Sequence, residues 1–339
     1  KNNQSLKEFK FKPLNLTNDS FNFCFYLDNT FIVFKSFNDI VYFIYINTNN
    51  SIVSYNLSNN QKISEIKNPH KSYVSNFEHY ADKNNKRDLL ISICSGLNNI
   101  KLWNVNNWIC LLNIKNIYEY GHIYSACFLN EGNQIYIITS SCKDYENENS
   151  APIKVFDLNG NKIKEITFSN DYTYNIKSYN DSKFSKNYII TGNFGSIKSY
   201  DFNKNKIYHK YGKNKYKHYG IEINDREGII KLYDSCCDGN IRIWDFHSGE
   251  LLKNIKVYNN FLYGICIWNN DYLFVGCQDK TIKLIDLNDG IAVKSLFGHK
   301  EKVINLQKVN HPKYGECLIS QGWEYDQIKL WINKNNLYK

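Results

Sequence analysis

The chain contains no methionine, four prolines and three arginines, Arg87, Arg226 and Arg242, among 339 residues. The missing initiator points to a segment of a longer polypeptide or complex. Scarce arginine argues against nucleic acid as the partner, because the planar guanidinium is the group suited to bidentate phosphate and base contacts. The formal net charge of +9 comes from lysines spread along the sequence without a dense block. No apolar run approaches the length of a membrane span, and the polar opening KNNQSLKEFK is not a signal peptide, so no membrane insertion is expected. The ten cysteines form no Cys-x-x-Cys pair, which argues against a zinc site or a dithiol redox motif. Most of them lie in apolar, strand-like runs. They read as reduced core thiols of a cytoplasmic protein, with a nuclear address left open.

Catalytic signatures are equally scarce. The glycines of Thr191 to Ser196 (TGNFGS) lack the Lys-Ser/Thr ending of a phosphate-binding loop. The closest carboxylate pairs, Glu146 with Glu148 and Asp225 with Glu227, fall in polar turns or loops. No enzyme activity, cofactor or metal is expected.

What the chain does contain is apolar and aromatic material, 42% and 16% of its residues, enough for a large core or several. It is arranged as a repeat. The stretch CCDGNIRIWDFHSGELLKNI around Trp244 reads as strand, tight turn, strand, turn, strand, with no helical period. Its central strand recurs as SIVSYNL at Tyr55, NIKLWNV at Trp103, PIKVFDL at Phe156, SIKSYDF at Tyr200, TIKLIDL at Ile285 and QIKLWIN at Trp331. Successive copies are 48, 53, 44, 44, 41 and 46 residues apart. A period of that length built from short strands is the signature of a β-propeller blade.

The motif resembles the WD40-repeat family. The aromatic marker is usually followed by Asp (Asp157, Asp201, Asp245, Asp286), Trp244-Asp245 is a literal Trp-Asp pair, and Gly121-His122 and Gly298-His299 match the family's Gly-His pair. The resemblance implies an all-β, seven-bladed propeller of four-stranded antiparallel blades covering residues 1–339. Approximate blades are 30–67, 68–115, 116–168, 169–210, 211–256, 257–297 and 298–335, with 1–29 as lead-in and ring-closing strand. Too little chain follows Trp331 to supply the last outer strand, so the N-terminus should supply it, through Phe21 to Leu27 first and Glu8 to Leu14 as the alternative. Lys143 to Ala151 and Ala81 to Arg87 read as polar surface loops.

The family's structural network maps onto His299, Ser320, Asp326 and Trp331, and its Asp position recurs at Asp238 and Asp279 beside Trp244, with Asp144 filling it in the third copy. A hydrolase reading of His299, Ser320 and Asp326 fails for want of a Gly-x-Ser-x-Gly elbow. Copies two and four, with Asn98 and Gly195 instead, should rely on packing. Superposing the first strands places Tyr73, His122, Thr173, His218, Leu262 and Lys302 at one position, which in the family faces the top surface. The residues before the turn Asp add Lys143, Cys237, Gln278 and Tyr325, with Trp323 beside them. The function so implied is a non-catalytic scaffold that binds a partner peptide or protein on this face. Alternatives are a substrate-recognition module of a larger enzyme complex such as a ubiquitin ligase, or an RNA-binding propeller. The adaptor-docking motif Trp-Asp-x-Arg is not met, since Trp244-Asp245-Phe246-His247 ends in His.

Overall fold

The structure, a computed structural model, describes residues 11–15, 30–119, 121–141, 152–167, 173–225, 228–323 and 326–333. Seven four-stranded antiparallel sheets form the blades of a propeller, six of them meanders in which consecutive strands pair and the seventh completed by a strand from the N-terminal end. The blades run Phe31–Ile66, Asn76–Ile114, Ile123–Ile166, Thr173–Tyr211, His218–Lys256, Leu262–Leu296 and Val303–Asn333. The first strand of each blade is innermost. The ring closes where blade 7 meets blade 1: the Val33 N–H donates to Gln307 Oε1 (2.9 Å), and the Gln321 amide donates to Thr30 Oγ1 (2.6 Å).

A flat blade has two apolar faces and cannot bury either alone. The period-two pattern of each third strand solves this by sending alternate residues to opposite neighbours. In Asn240–Asp245, Ile241 and Ile243 pack into a cluster with blade 6, whereas Trp244 joins a cluster with blade 4. The result is seven separate cores, one at each blade interface. Outer strands such as Lys162–Ile166 and Lys206–Tyr211 are largely exposed and carry lysines, which blunts the open sheet edge. At the tight turn between the second and third strands of blade 5, Gly239 has φ +76°, and a Cβ there would lie 1.9 Å from the Tyr258 carbonyl oxygen. Only glycine fits.

Two expectations need correction. The outer strand of blade 7 is Phe11–Asn15, antiparallel to Ile328–Asn333 with Pro13 opposite Trp331. It overlaps the alternative Glu8 to Leu14; Phe21 to Leu27 lies outside the described residues. A strand ending at Leu27 would leave three residues, 28–30, to cross from the outer edge to Phe31. The shortest such connection elsewhere, 257–261, has five, and the crossing spans three strand spacings of about 4.8 Å. Ala81 to Arg87 is not a loop: Asn76–Asp82 and Arg87–Cys94 extend the hairpin until Asp82 faces Arg87, and only 83–86 turn. Arg87 Nε and Asn85 Nδ2 donate to Asp82 at 2.8 and 2.9 Å. Lys143 to Ala151 lies outside the described residues.

Among the described residues, eight cysteines are free and all but Cys110 are buried or nearly so. No described helix is long and apolar enough to cross a membrane, and no described group of His, Cys, Asp or Glu has the grouping to hold a metal.

Candidate functional site

The polar networks share one architectural slot. On the second strand of each blade, the residue two beyond the one facing the aromatic marker points at the marker's ring. In blades 2, 5 and 7 that slot holds Ser92, Asp234 and Ser320, and the indole N–H of Trp103, Trp244 and Trp331 donates to it at 2.8, 2.9 and 2.6 Å. In blade 6 both members are apolar: Val275 occupies the slot and Ile285 the marker position. A tryptophan buried here requires an acceptor, and isoleucine does not.

Blade 7 brings all four of its residues together. His299 Nδ1 lies 2.8 Å from Asp326 Oδ2, and its Nε2 lies 2.6 Å from Ser320 Oγ, which also accepts from Trp331. Asp326 further accepts from the Lys300 N–H at 2.8 Å. Burial opposes its ionisation, but the His299 hydrogen bond and charge hold its carboxyl below the ordinary carboxylate range. His299, Ser320 and Asp326 are all buried, so the histidine, serine and aspartate are sealed from any substrate.

Blade 2 corrects the expectation that it relies on packing. His70 contacts Asn99 Oδ1 (2.7 Å) through Nδ1 and Ser92 Oγ (2.8 Å) through Nε2, so the relay is complete with an amide in place of the aspartate. Burial pushes His70 down to about pKa 4, aided by Lys101 and opposed by the Asn99 hydrogen bond. The signal was present in the sequence: His70-Lys71-Ser72-Tyr73-Val74 matches His299-Lys300-Glu301-Lys302-Val303. In blade 4, Thr173 donates to Asn193 Oδ1 (2.8 Å), and Asn193 donates to Thr191 Oγ1 (2.8 Å).

Asp238 and Asp279 do not join Trp244 or a histidine. Asp238 pairs with Arg242 and caps the Asn240 N–H (3.1 Å), while Asp279 accepts from the Thr281 hydroxyl (2.5 Å) and faces Lys283 (3.3 Å). Both serve the turn. Asp144 lies outside the described residues.

The top-facing row must be redrawn. Ile123, Thr173, His218, Leu262 and Val303 each pair with the last residue of the neighbouring second strand and are buried. Thr173, His218 and Leu262 thus offer no side chain to a partner; His218 Nδ1 instead sits 3.1 Å from Asp234 Oδ1. The residue one position earlier is the one at the surface. There Lys217, Phe261 and Lys302 accept, through their carbonyls, the N–H of Cys237, Gln278 and Trp323 in their own blade's turn. Tyr73 and His122 belong to this outer row and are exposed. Cys237 is buried, and burial pushes its thiol up to about pKa 11. Gln278 is half-buried and accepts from the Tyr263 hydroxyl. The Lys302 ammonium lies 3.6 Å from the Trp323 ring centroid. Tyr325 and Lys143 lie outside the described residues.

Just inside the buried row sits a β-bulge, which sequence superposition could not show. Its residue is Tyr124, Tyr174, Tyr219 and Tyr263 in blades 3 to 6, and these rings touch in series at centroid distances of 5.9, 5.6 and 5.5 Å. Lys217 lies 5.0 Å over Tyr174 and Lys302 lies 5.5 Å over Tyr263. Burial raises the Tyr219 hydroxyl's pKa, with the Cys237 thiol adding to it. The missed signal was a tyrosine recurring at spacings of 50, 45 and 44, once per blade.

The same end of the ring bears further aromatic side chains that sequence reasoning passed over. Phe194, Tyr216, Phe261 and Phe297 are exposed there, Phe297 to 72%, alongside Tyr73 at 51%. Phe194 and Tyr216 are held by backbone lacing of two loops, with Gly195 N–H donating to the Tyr216 carbonyl (2.7 Å) and Asn214 N–H to that of Gly195 (2.9 Å).

Below the tyrosines, the innermost strands enclose a cavity of ≈150 Å³ whose lining includes Glu78, Lys177 and Glu222. Gly220 permits the close approach: a Cβ there would lie 2.6 Å from the Tyr263 carbonyl. Lys177 Nζ is 2.6 Å from Glu222 Oε1. About a third of each of these two side chains is open, and both line this cavity. Burial alone would lower the Lys177 pKa; the Glu222 charge outweighs it and raises it. For Glu78, burial dominates and pushes the carboxyl up to about pKa 7 against the Lys177 charge, with Glu222 adding to the rise.

No family model matches the chain. Among curated proteins it is similar to the "U3 small nucleolar RNA-associated protein 21 homolog" of Schizosaccharomyces pombe, 28% identical over 72 residues, which is 21% of this chain and 8% of that protein. It is also similar to "Protein Notchless" of Drosophila melanogaster, 30% identical over 76 residues, 22% of this chain and 16% of that protein. The matched stretches thus span a small fraction of either relative. With seven copies of the marked strand and seven four-stranded blades closed into a ring, the chain is a seven-bladed β-propeller, and its local likeness to these two proteins supports the WD40-repeat family.

Proposed function

We propose that this propeller is a non-catalytic interaction scaffold that docks a protein partner on the end of the ring carrying Tyr73, Phe194, Tyr216, Phe261, Phe297 and Trp323. The observation that carries the reading is the gathering of exposed aromatic rings on loops fixed by backbone hydrogen bonds. Aromatic side chains dominate interface hot spots because they bury much apolar area at little conformational cost, and rigid loops lower the entropy lost on binding. The opposite end exposes Phe37 and Phe184, both in turns between first and second strands. The candidate triad supports no hydrolysis, since Ser320 is fully buried and already engaged by Trp331.

The name of the fission-yeast relative associates that protein with a small nucleolar RNA. A nuclear address therefore stands beside the cytoplasmic one expected from free thiols, and RNA is the competing partner class. A photo-crosslinking residue at Phe297 and, separately, at Phe184 separates these readings in cells. Protein adducts at position 297 that resist nuclease and are absent at 184 are the expected result. Adducts at 184 alone would place docking on the other end, and nuclease-sensitive adducts with affinity falling steeply in salt would give the RNA reading.

A further inference from the structure

Glu78 is the residue the scaffold reading leaves without a task. It projects from the first strand of blade 2 into the ≈150 Å³ cavity and has no hydrogen-bond or ion-pair partner among the described residues. Its neighbour Glu222 is committed to Lys177 at 2.6 Å. A second orphan lines the same cavity: Asn305 is 7% exposed, and its buried amide nitrogen finds no acceptor. Glu78 is half-buried and Asn305 buried; carboxylates and amide donors drawn out of water are normally paired, because burying either without a partner is unfavourable. Two orphans facing one cavity mark what a ligand would have to bring: a cation for the carboxylate and a carbonyl-type acceptor for the amide.

We propose that the channel beneath the tyrosine ladder is a receptor for a single alkylammonium or guanidinium group, whose charge is met by Glu78 under the rings of Tyr124, Tyr174 and Tyr219. The size agrees: a cavity of about 150 Å³ takes one benzene-sized group and is smaller than pockets for drug-sized ligands. The chemistry agrees as well. With both carboxylates ionised the lining carries two negative charges against one positive, and tyrosine faces attract cations. An orphaned Asn305 donor favours a cation attached to a peptide carbonyl, as on a lysine or arginine of a docked chain. The inference rests on the docking reading only for that source of the cation.

Binding should be coupled to protons. The charges acting on Glu78 are Lys177 from blade 4 and Glu222 from blade 5. The thiols of Cys127 in blade 3 and Cys266 in blade 6 are neutral, that of Cys266 pushed up to about pKa 12 by burial and then by Glu222. Lys308 in blade 7 is held by Glu316 at 2.5 Å and the Trp268 carbonyl at 2.7 Å. Since Glu78 titrates at about 7 and must be ionised to receive a cation, affinity should fall roughly tenfold from pH 8 to pH 6.

Calorimetric titration of the full chain tests this with butylguanidinium, butylammonium and acetyl-Ala-Arg-Ala-amide, and with acetyl-Ala-Gln-Ala-amide as the neutral control. Saturable heat from the cations at pH 8, about tenfold weaker at pH 6 and abolished in Glu78→Gln, is the expected result. Tighter binding of the arginine tripeptide than of the free cations would assign the site to a partner chain; equal binding would assign it to a small amine. No saturable heat from any cation, an equal response to the glutamine tripeptide, or wild-type binding by Glu78→Gln overturns the proposal. The pH dependence of the wild type reads out without any variant, and none of these failures alters the crosslinks at position 297.

Discussion

Blades 6 and 7 are neighbours with the same strand order and the same turn aspartate, yet one is closed by hydrocarbon alone and the other by a polar relay. In blade 6, Ile285 packs over Val275, and Asp279 stays with Thr281 and Lys283 at the surface. In blade 7, Trp331 demands Ser320, Ser320 is shared with His299, and His299 recruits Asp326 from the turn. Between these two blades the marker and its slot therefore change together. Either an indole with an acceptor or an aliphatic with an aliphatic leaves no buried polar group unpaired, which is how copies with so little literal identity build the same blade.

Breaking the pair on one side only should show the difference. Ser320→Val leaves the Trp331 N–H and one His299 nitrogen unsatisfied, and at about 1–3 kcal/mol for each orphan the variant should lose about 4 kcal/mol in denaturant unfolding. A comparable loss should be reached in blade 2 by acid. His70 has its folded pKa depressed to about 4 from an ordinary 6.5, so the unfolded chain takes up the proton first. That stability is intact above pH 6.5 and falls by about 3 kcal/mol as the pH drops to 4. The slope contributed by this window should vanish in His70→Asn. The turn aspartates should then separate the two blades: Asp326→Ala strips His299 and three backbone N–H groups of their acceptor and should cost about 2 kcal/mol. Asp279→Ala removes a part-exposed turn cap and should cost about 1 kcal/mol or less. Equal losses would mean that the relay does not distinguish the blades.

The sequence disclosed the array because the marked strands are buried on both faces, and burial on both faces constrains residue type at every copy. Seven aromatic or aliphatic markers at 41 to 53 residue spacing were enough for the blades. The top row was harder. The superposition set Thr173, His218 and Leu262 level with Tyr73, His122 and Lys302, although strand pairing sets them level with Ile123 and Val303, one step further in, and a bulge just inside that row adds one more residue in each of these blades. Apolar pattern carries no mark of such an insertion; only the recurrent tyrosine did. The closing strand was obscured for a different reason: FNFCFYL has the stronger strand composition, while Phe11–Asn15 was selected by the length of chain needed to cross from the outer edge to Phe31. In blade 2 the relay was hidden because asparagine replaces aspartate and sits one position from where it was sought, at Asn99 and not Asn98.

The central claim is that docking belongs to one end of the ring. Tyr73→Ala, Phe261→Ala and Phe297→Ala combined, set beside Phe37→Ala and Phe184→Ala combined, test it in a quantitative capture of crosslinked partner at matched thermal midpoints. The account predicts that the first variant loses the partner by tenfold or more while the second retains it. Retention by the first with loss by the second would contradict it.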